Sequence, residues 1–339
     1  MKNKILFYSS VSNIELFETQ KFYKTDISLL KSLGFDVSVT NRIIDFLFFW
    51  KYDLAFIYFF RYGFFVSLIA RILGKPAYFT GGIDDLDITY ATPKRYKIQK
   101  VFFKLCCFCS TKCILVSTTD MANVKKIYNG VLPKKVILSF HTIEVENFLC
   151  SNPQNKGNDF STIVWMGGEV NVIRKGVDLA LRVFSELSTK YSEYQNSMFI
   201  VIGKKGDGTD FLVELCKQLN ITEKVIFTDE VDETTKINLL LSSRYYMQLS
   251  KYEGFGIAAT EALAAQNIVI NSGKGGLIDS VGKHGIQIDI NKDLKKQIDN
   301  LHNQIQNIDS VFLKAGEQYV IDNFSYNLRK TDFKRIILR

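Results

Sequence analysis

At 339 residues the chain is too long for one ordinary core and fits two domains of roughly 150 residues each. Its 47% hydrophobic and 23% charged residues, with only four prolines, exclude extensive disorder. No uncharged apolar run approaches the roughly 20 residues that span a bilayer. The net charge of +8 lies wholly in the first half, where residues 1–150 hold 20 Lys and Arg against 12 Asp and Glu; the remainder balances at 23 against 23. Such a bias draws acidic glycans, nucleic acid or an anionic membrane, or is simply a solvated basic face. No nucleic-acid recognition motif accompanies it, so nucleic acid is not an expected partner.

Short apolar runs bounded by turn residues alternate with longer amphipathic stretches, the pattern of a parallel α/β sheet. The opening run Ile5-Leu-Phe-Tyr8 is shorter than a signal-peptide core and reads as a first buried strand, and the expected location is the cytoplasm. Further strands are predicted at 36–39, 54–58, 76–80, 113–117 and 135–139, after the first at 4–8. Helical periodicity fills 19–33, closed by Gly34, and 62–73, closed by Gly74. The basic, aromatic stretch 94–105 reads either as a core helix with its lysines outside or as an interfacial helix. With Trp50 and a Phe-rich stretch preceding it, the second reading implies peripheral contact with the inner face of a membrane through the basic half. Cys106, Cys107, Cys109 and Cys113 read as small buried residues leading into a strand, not as a metal site. Cys150 and Cys216 read as solitary thiols.

The polar, turn-rich segment 150–160 is the predicted linker. The pattern then restarts with strand 161–166, a Gly167-Gly168 loop and helix 175–190. Strand 198–202 precedes helix 209–219, strand 224–228 precedes helix 233–242, and strand 245–249 precedes helix 257–265. Strand 267–271 runs into Gly273, Gly275 and Gly276, and the tail 314–339 is amphipathic and helical. The expected architecture is α/β: two Rossmann-like doubly wound domains, 1–155 and 156–313, facing across a cleft, with 314–339 packing back on the first. In such sheets ligands bind beyond the C-terminal strand ends.

The densest chemistry lies in Lys251-Tyr-Glu253-Gly-Phe-Gly256-Ile-Ala-Ala-Thr-Glu261. Gly254 and Gly256 allow close backbone approach to a ligand, and the helix start offers free N–H donors that suit a diphosphate. At helical spacing Glu253 and Glu261 stand about 12 Å apart. That separation suits two ends of one elongated ligand better than an acid–base pair. A tight turn explains the glycines alone, and dipole stabilisation explains Glu261 alone, but neither explains the combination. A second element, Val164-Trp-Met-Gly-Gly168 followed by Arg174-Lys175-Gly176, sets two cations just before a helix. There they are placed to grip phosphate oxygens; a solvated surface pair is the plainer alternative.

These residues resemble the Glu-x7-Glu motif of retaining GT-B glycosyltransferases, family 4. The resemblance implies that Glu253 contacts a donor sugar and Glu261 binds ribose hydroxyls. Lys175 matches the family lysine, while the arginine usual after the first glycine is Gly168 here, so Arg174 is its expected substitute. Phe199-Ile-Val-Ile-Gly203-Lys-Lys-Gly206 resembles the family's strand and Gly-rich turn. Gly275-Gly276-Leu-Ile-Asp279 resembles its Gly-Gly-x-x-Glu, with Asp279 for the glutamate. The match is firm over about 160–290 and looser before. The family needs no metal, and none is expected here; Asp85-x-Asp87 is too short a pair to bind one by itself.

In the first half, Pro76-Ala-Tyr-Phe-Thr80-Gly81-Gly82-Ile-Asp84 occupies the place where many relatives carry a histidine, and no histidine is present. Asp84 reads as a partner for a sugar or acceptor hydroxyl, or as a helix cap. His141 reads as a loop histidine. The expected catalytic set is Glu253, Lys175, Arg174 and Asp84. The donor-binding set is Glu261, Gly254, Phe255, Gly256, Gly168, Gly203 and Gly82. The expected activity is retaining transfer of a sugar from a nucleotide-diphosphate donor to a glycan or lipid-linked acceptor in surface polysaccharide synthesis. A sugar-nucleotide epimerase or hydrolase, and a non-catalytic glycan-binding subunit, are the rivals.

Overall fold

The computed structural model describes residues 3–149 and 156–338. The chain divides into two compact units, one of Met1–Ile143 with Phe324–Arg339, the other of Glu144–Asn323.

The first unit is a six-stranded parallel sheet of β1 (Lys4–Ser9), β2 (Asp36–Thr40), β3 (Leu54–Tyr58), β4 (Ala77–Thr80), β5 (Lys112–Leu115) and β6 (Val136–Leu138), in the order β2-β1-β3-β4-β5-β6. Register sets Phe7 beside both Val39 and Phe56. All five residues of β3 are buried, because helices cover both faces of a parallel sheet. Alternation sends Phe7, Phe56 and Tyr58 into a core shared with α1 (Leu16–Thr19), α2 (Lys21–Ser32) and the C-terminal helix Tyr326–Ile337. Tyr8, Ala55, Ile57 and Phe79 face the other way, toward α3 (Phe60–Ile72), α4 (Pro93–Cys109) and α5 (Thr118–Ile127). The helix over 94–105 therefore exists but runs longer, started by Pro93 with Thr92 accepting from the Arg95 N–H.

One ion pair ties the chain's end to this unit. Arg329 and Asp26 have fully buried side chains, joined by Nε to Oδ1 at 2.6 Å and Nη2 to Oδ2 at 2.7 Å. The remaining guanidinium nitrogen donates to the carbonyls of Ser139, at 2.6 Å, and Phe140, at 2.8 Å. Tyr58 also donates its hydroxyl to Asp26. A charge taken out of water persists only when paired and hydrogen-bonded in this way.

The second unit repeats the plan with β7 (Phe160–Ile163), β8 (Phe199–Ile202), β9 (Val225–Phe227), β10 (Tyr245–Gln248), β11 (Ile268–Asn271) and β12 (Ile286–Gln287). Its order, β12-β11-β10-β7-β8-β9, is all parallel. The helices are α6 (Glu169–Arg174), α7 (Val177–Lys190), α8 (Asp207–Gln218), α9 (Glu233–Ser242), α10 (Ile257–Ala264), α11 (Leu277–Val281), α12 (Ile298–Gln306) and α13 (Ser310–Phe324). Strand order reverses between β7 and β10, so their outgoing connections leave to opposite faces and open a crevice at their C-terminal ends.

Three local expectations change. Residues 150–155 of the predicted linker, Cys150 among them, lie outside the described residues, and Lys156 is no linker residue. It is buried, and its ammonium donates to the carbonyls of Leu240, Leu241 and Ser243 at 2.8–3.0 Å, closing the end of α9. The loop expected before Lys175 contains the short helix α6, and the tail is two helices broken at Ser325. β12, at two residues, is too short for a periodic signal.

Candidate functional site

The crevice of the second unit is lined by the loops that follow β7 and β10. After β10 the chain turns through Leu249–Phe255 into α10, and after β7 it passes through Gly167 and Gly168 into α6 and then α7. The two are stitched together at the α6–α7 joint. The Lys251 N–H donates to Arg174 O at 2.8 Å, and Ser250 Oγ donates to Lys175 O at 3.3 Å. Gly176 has φ +68°, and a Cβ there would stand 1.9 Å from the Leu249 carbonyl oxygen. Only glycine permits that approach.

This joint delivers Lys175 to Glu253, Nζ to Oε2, at 2.6 Å. Gln248 Nε2 donates to the same oxygen at 2.8 Å, and the single Ser250 hydroxyl hydrogen is shared between that oxygen, at 3.3 Å, and the Lys175 carbonyl. Burial alone would raise the Glu253 pKa, but Lys175, with Arg174 and Gln248 in support, outweighs it and holds the carboxyl below its ordinary range. Arg174 itself donates to Asn171 Oδ1 at 2.9 Å. Glu253 is thus a fixed carboxylate in a cationic setting, suited to accepting hydrogen bonds from hydroxyls.

Glu261 lies on α10, which is buried almost all round, and is itself 2% exposed. Its counter-charge is Lys236 of α9, which also reaches Glu233 Oε1 at 3.0 Å and lies 5.6 Å from the Phe148 ring centre. Burial presses the lysine pKa down, yet Glu261 and Glu233 together keep it above the ordinary lysine range.

The glycines have internal reasons to be glycine. Gly256 caps α10 at φ +103°, and a Cβ would meet Leu277 and Ser280 at 2.8 Å. A Cβ on Gly275 would stand 2.1 Å from the Glu253 carbonyl oxygen, and one on Gly276 2.4 Å from that of Gly254. The Gly276 N–H donates to that Glu253 oxygen at 2.7 Å, so the loop of Gly275 and Gly276 supports the Glu253 loop directly. Gly203, at φ +136°, packs on the Val164 carbonyl in the same way. Gly168 differs: its φ of 171° suits any residue and a Cβ there meets nothing within 4 Å. Phe255 turns its ring into the interior, and Asp279 is buried on α11.

The structure thus brings Lys175, Arg174 and Glu253 together and sets Glu261 past the first turn of the helix that follows. Gly82 and Asp84 belong to the first unit. Gly81 there has φ +119° and faces the ring of Phe59, itself held at φ +65°, where a bulky residue is strained. Asp84 opens a 3-10 turn after β4, half-buried. Asp85 pairs with Arg95 at 2.6 Å and accepts from Gln99, while Asp87 accepts from Thr89 and Asn123. His141 lies in a loop, as expected, but buried, and burial with Arg329 close by pushes its pKa down to about 3. Sequence reasoning missed Lys236, Gln248 and Ser250. Lys236 carried one signal, its i,i+3 spacing from Glu233 on a predicted helix.

Residues 166–309 match the family model for glycosyl transferases group 1. Among curated proteins the chain is similar to an uncharacterized glycosyltransferase of Methanocaldococcus jannaschii, 32% identical over 171 residues, which is 50% of this chain and 41% of that protein. The chain thus spans about two fifths of the curated relative's length. Among solved structures it is similar to Anabaena HepE in complex with UDP and glucose, TM-score 0.74 and 13% identity, over 99% of both chains. Sucrose-phosphate synthase of Thermosynechococcus elongatus gives a TM-score of 0.76 and 13% identity over 99% of this chain and 98% of its own. A point mutant of S. aureus TarM in complex with fondaparinux, alpha-GlcNAc-glycerol and UDP gives 0.66 and 17%, over 87% and 58%. At these identities the structures show the fold, which is GT-B. The resemblance to glycosyl transferases group 1 thus rests on residues 166–309.

Proposed function

We propose that this chain is a glycosyltransferase that moves a sugar from a nucleotide-diphosphate donor with retention of anomeric configuration. The observation that carries the reading is the Lys175–Glu253 pair at the reversal point of the second sheet, inside the segment that matches the family model. In the transfer, the bond from the sugar's anomeric carbon to the diphosphate oxygen breaks and a bond to an acceptor oxygen forms on the same face. The acceptor proton passes to a diphosphate oxygen. Lys175 and Arg174 stabilise the charge growing on that leaving group, where fixed cations lower the barrier rather than merely tightening binding. Glu253 Oε2 is held by Lys175 and Gln248, so Oε1 is the oxygen offered to a sugar hydroxyl. Glu261 accepts from the ribose, and Gly254, Phe255 and Gly256 present backbone N–H groups to the donor, with Gly168 and Gly203 lining its approach. Asp84 takes an acceptor hydroxyl. The acceptor is a glycan or a lipid-linked sugar of a surface polysaccharide, and no metal enters the reaction.

Uridine is the base to test first, since HepE and TarM are described with UDP. A panel of nucleotide sugars is screened for a rise in melting temperature, which a ligand of the native state alone produces. Glu261→Ala is expected to weaken nucleotide binding, and Glu253→Ala to lower kcat by on the order of 10²-fold or more. Proton NMR of the product reads its anomeric configuration. Inverted product would end the retaining reading, and turnover of the donor to an epimer without acceptor would favour an epimerase. Unchanged binding in the Glu261 variant would remove its ribose role.

A further inference from the structure

The turns Ile43–Leu47 and Phe49–Lys51, α3 and α4 lie side by side along one face of the first unit. Their inner sides fill the core through Phe46, Val66 and Phe103. Their outer sides leave large apolar groups in solvent. Trp50 is 64% exposed beside Phe49, and their ring centres lie 5.2 Å apart. Phe65 and Ile72 are exposed on α3. On α4 the exposed residues Ile98, Val101, Leu105 and Phe108 recur at helical spacing and form one stripe. Exposed apolar groups scattered singly need no explanation, but a stripe continued across neighbouring elements does.

The charge on the same elements decides what covers them. Residues 42–51, 59–75 and 93–109 contain ten Lys and Arg against one acid, Asp45. Arg42 and Arg95 are paired with Asp45 and Asp85, and Arg71 lies over the Phe108 ring at 4.5 Å. Lys94 and Lys97 are exposed along the α4 stripe and Lys51 borders Trp50. Protein interfaces are depleted in lysine, whereas a bilayer surface takes Trp and Phe at headgroup depth with lysines reaching outward to lipid phosphates. We propose that this face, built from the turns at 43–51 with α3 and α4, docks on an anionic lipid bilayer. Trp50, Phe49, Val101 and Phe108 enter the headgroup layer, and the lysines meet its negative charge. The inference does not depend on the transfer reading, because no nucleotide or sugar takes part in it.

The test uses the full chain carrying Trp165→Phe, which leaves Trp50 as the one tryptophan of the two present. Vesicles of phosphatidylcholine with phosphatidylglycerol are compared with phosphatidylcholine alone, by co-sedimentation and by Trp50 emission. Anionic vesicles should bind the protein and shift Trp50 emission to the blue, and salt should weaken both effects. Lys94→Gln, Lys97→Gln and Lys100→Gln combined should cut vesicle affinity on the order of 100-fold at unchanged melting temperature. Trp50→Ser with Phe108→Ser should abolish binding, while Val311→Ser, at an exposed apolar position of the other unit, should not change it. No binding to anionic vesicles, equal binding to neutral ones, or an unaffected lysine variant would overturn the proposal. So would a concentration-dependent dimer, seen by sedimentation, that the Trp50 and Phe108 variant dissolves, because the face would then belong to a second copy of the chain.

Discussion

Lys236 sets its ammonium 2.9 Å from each carboxylate oxygen of Glu261, a symmetrical grip between α9 and α10 in a nearly dry site. Removing one partner of a buried pair leaves the other charge uncompensated, which costs about 3–5 kcal/mol. Lys236→Met is therefore expected to lose that much stability in urea denaturation. Adding Glu261→Leu to it should recover most of the loss, since an apolar pair is often as stable as a buried ionic one. If the single variant unfolds at the wild-type midpoint, the pair contributes nothing.

Gly275 is the second point of leverage on the site. A methyl group there collides with the Glu253 carbonyl at 2.1 Å, in a backbone held at φ +63°. Gly275→Ala should lower stability by about 1–3 kcal/mol and also displace the loop that carries Glu253. Its signature is a diminished melting-temperature rise on adding UDP. Gly168→Ala, whose added methyl group enters open space, serves as the control and should retain the rise.

The same open space at Gly168 admits a larger side chain. Gly168→Arg adds a cation in the loop ahead of Arg174 and Lys175, where the diphosphate is proposed to sit. A hydrogen bond to a charged group is worth about 1.5–3 kcal/mol, so UDP affinity measured by calorimetry should rise about tenfold or more. Arg174→Ala should lower it. Unchanged affinity in both variants would place the phosphates elsewhere.

His141 gives the stability a pH dependence of known sign. Burial first, then Arg329, depress its pKa from 6.5 to about 3. Between those values the unfolded chain binds a proton that the fold does not. The histidine's contribution is therefore complete above about pH 6.5 and declines on acidification, by up to about 1.4 kcal/mol per pH unit. His141→Gln should flatten this slope in urea titrations run across the interval. A slope equal to that of the wild type would show that other groups set it.

Most of the sheet was legible because its strands are short apolar runs between turn residues. β3 and β8 are near-continuous hydrophobic segments that no amphipathic helix imitates. α6 was not legible: six residues hold too little periodicity to separate a helix from a loop. Lys156 misled for a related reason, since its polar, turn-rich neighbours mask a buried capping role that depends on carbonyls more than 80 residues away. At the candidate site, Glu253, Glu261 and Lys175 stood out by motif and spacing. Lys236 and Gln248 act through side-chain geometry alone, which one-dimensional spacing does not carry. Gly254 and Gly256 read in the sequence as openings for a ligand, whereas Gly176, Gly203 and Gly275 prove to be places where two backbones touch.

The bond between Asp26 and Arg329 spans 303 positions of sequence, and with it the polypeptide enters the first unit twice, at its beginning and at its end. Gene fragments cut at the midpoint are therefore unequal. A piece comprising 144–323 keeps its whole unit in one continuous stretch. A piece that stops near residue 149 strands a carboxylate in the interior and leaves the carbonyls of Ser139 and Phe140 without their donor. Supplying Phe324–Arg339 as a separate peptide should rescue that half by complementation.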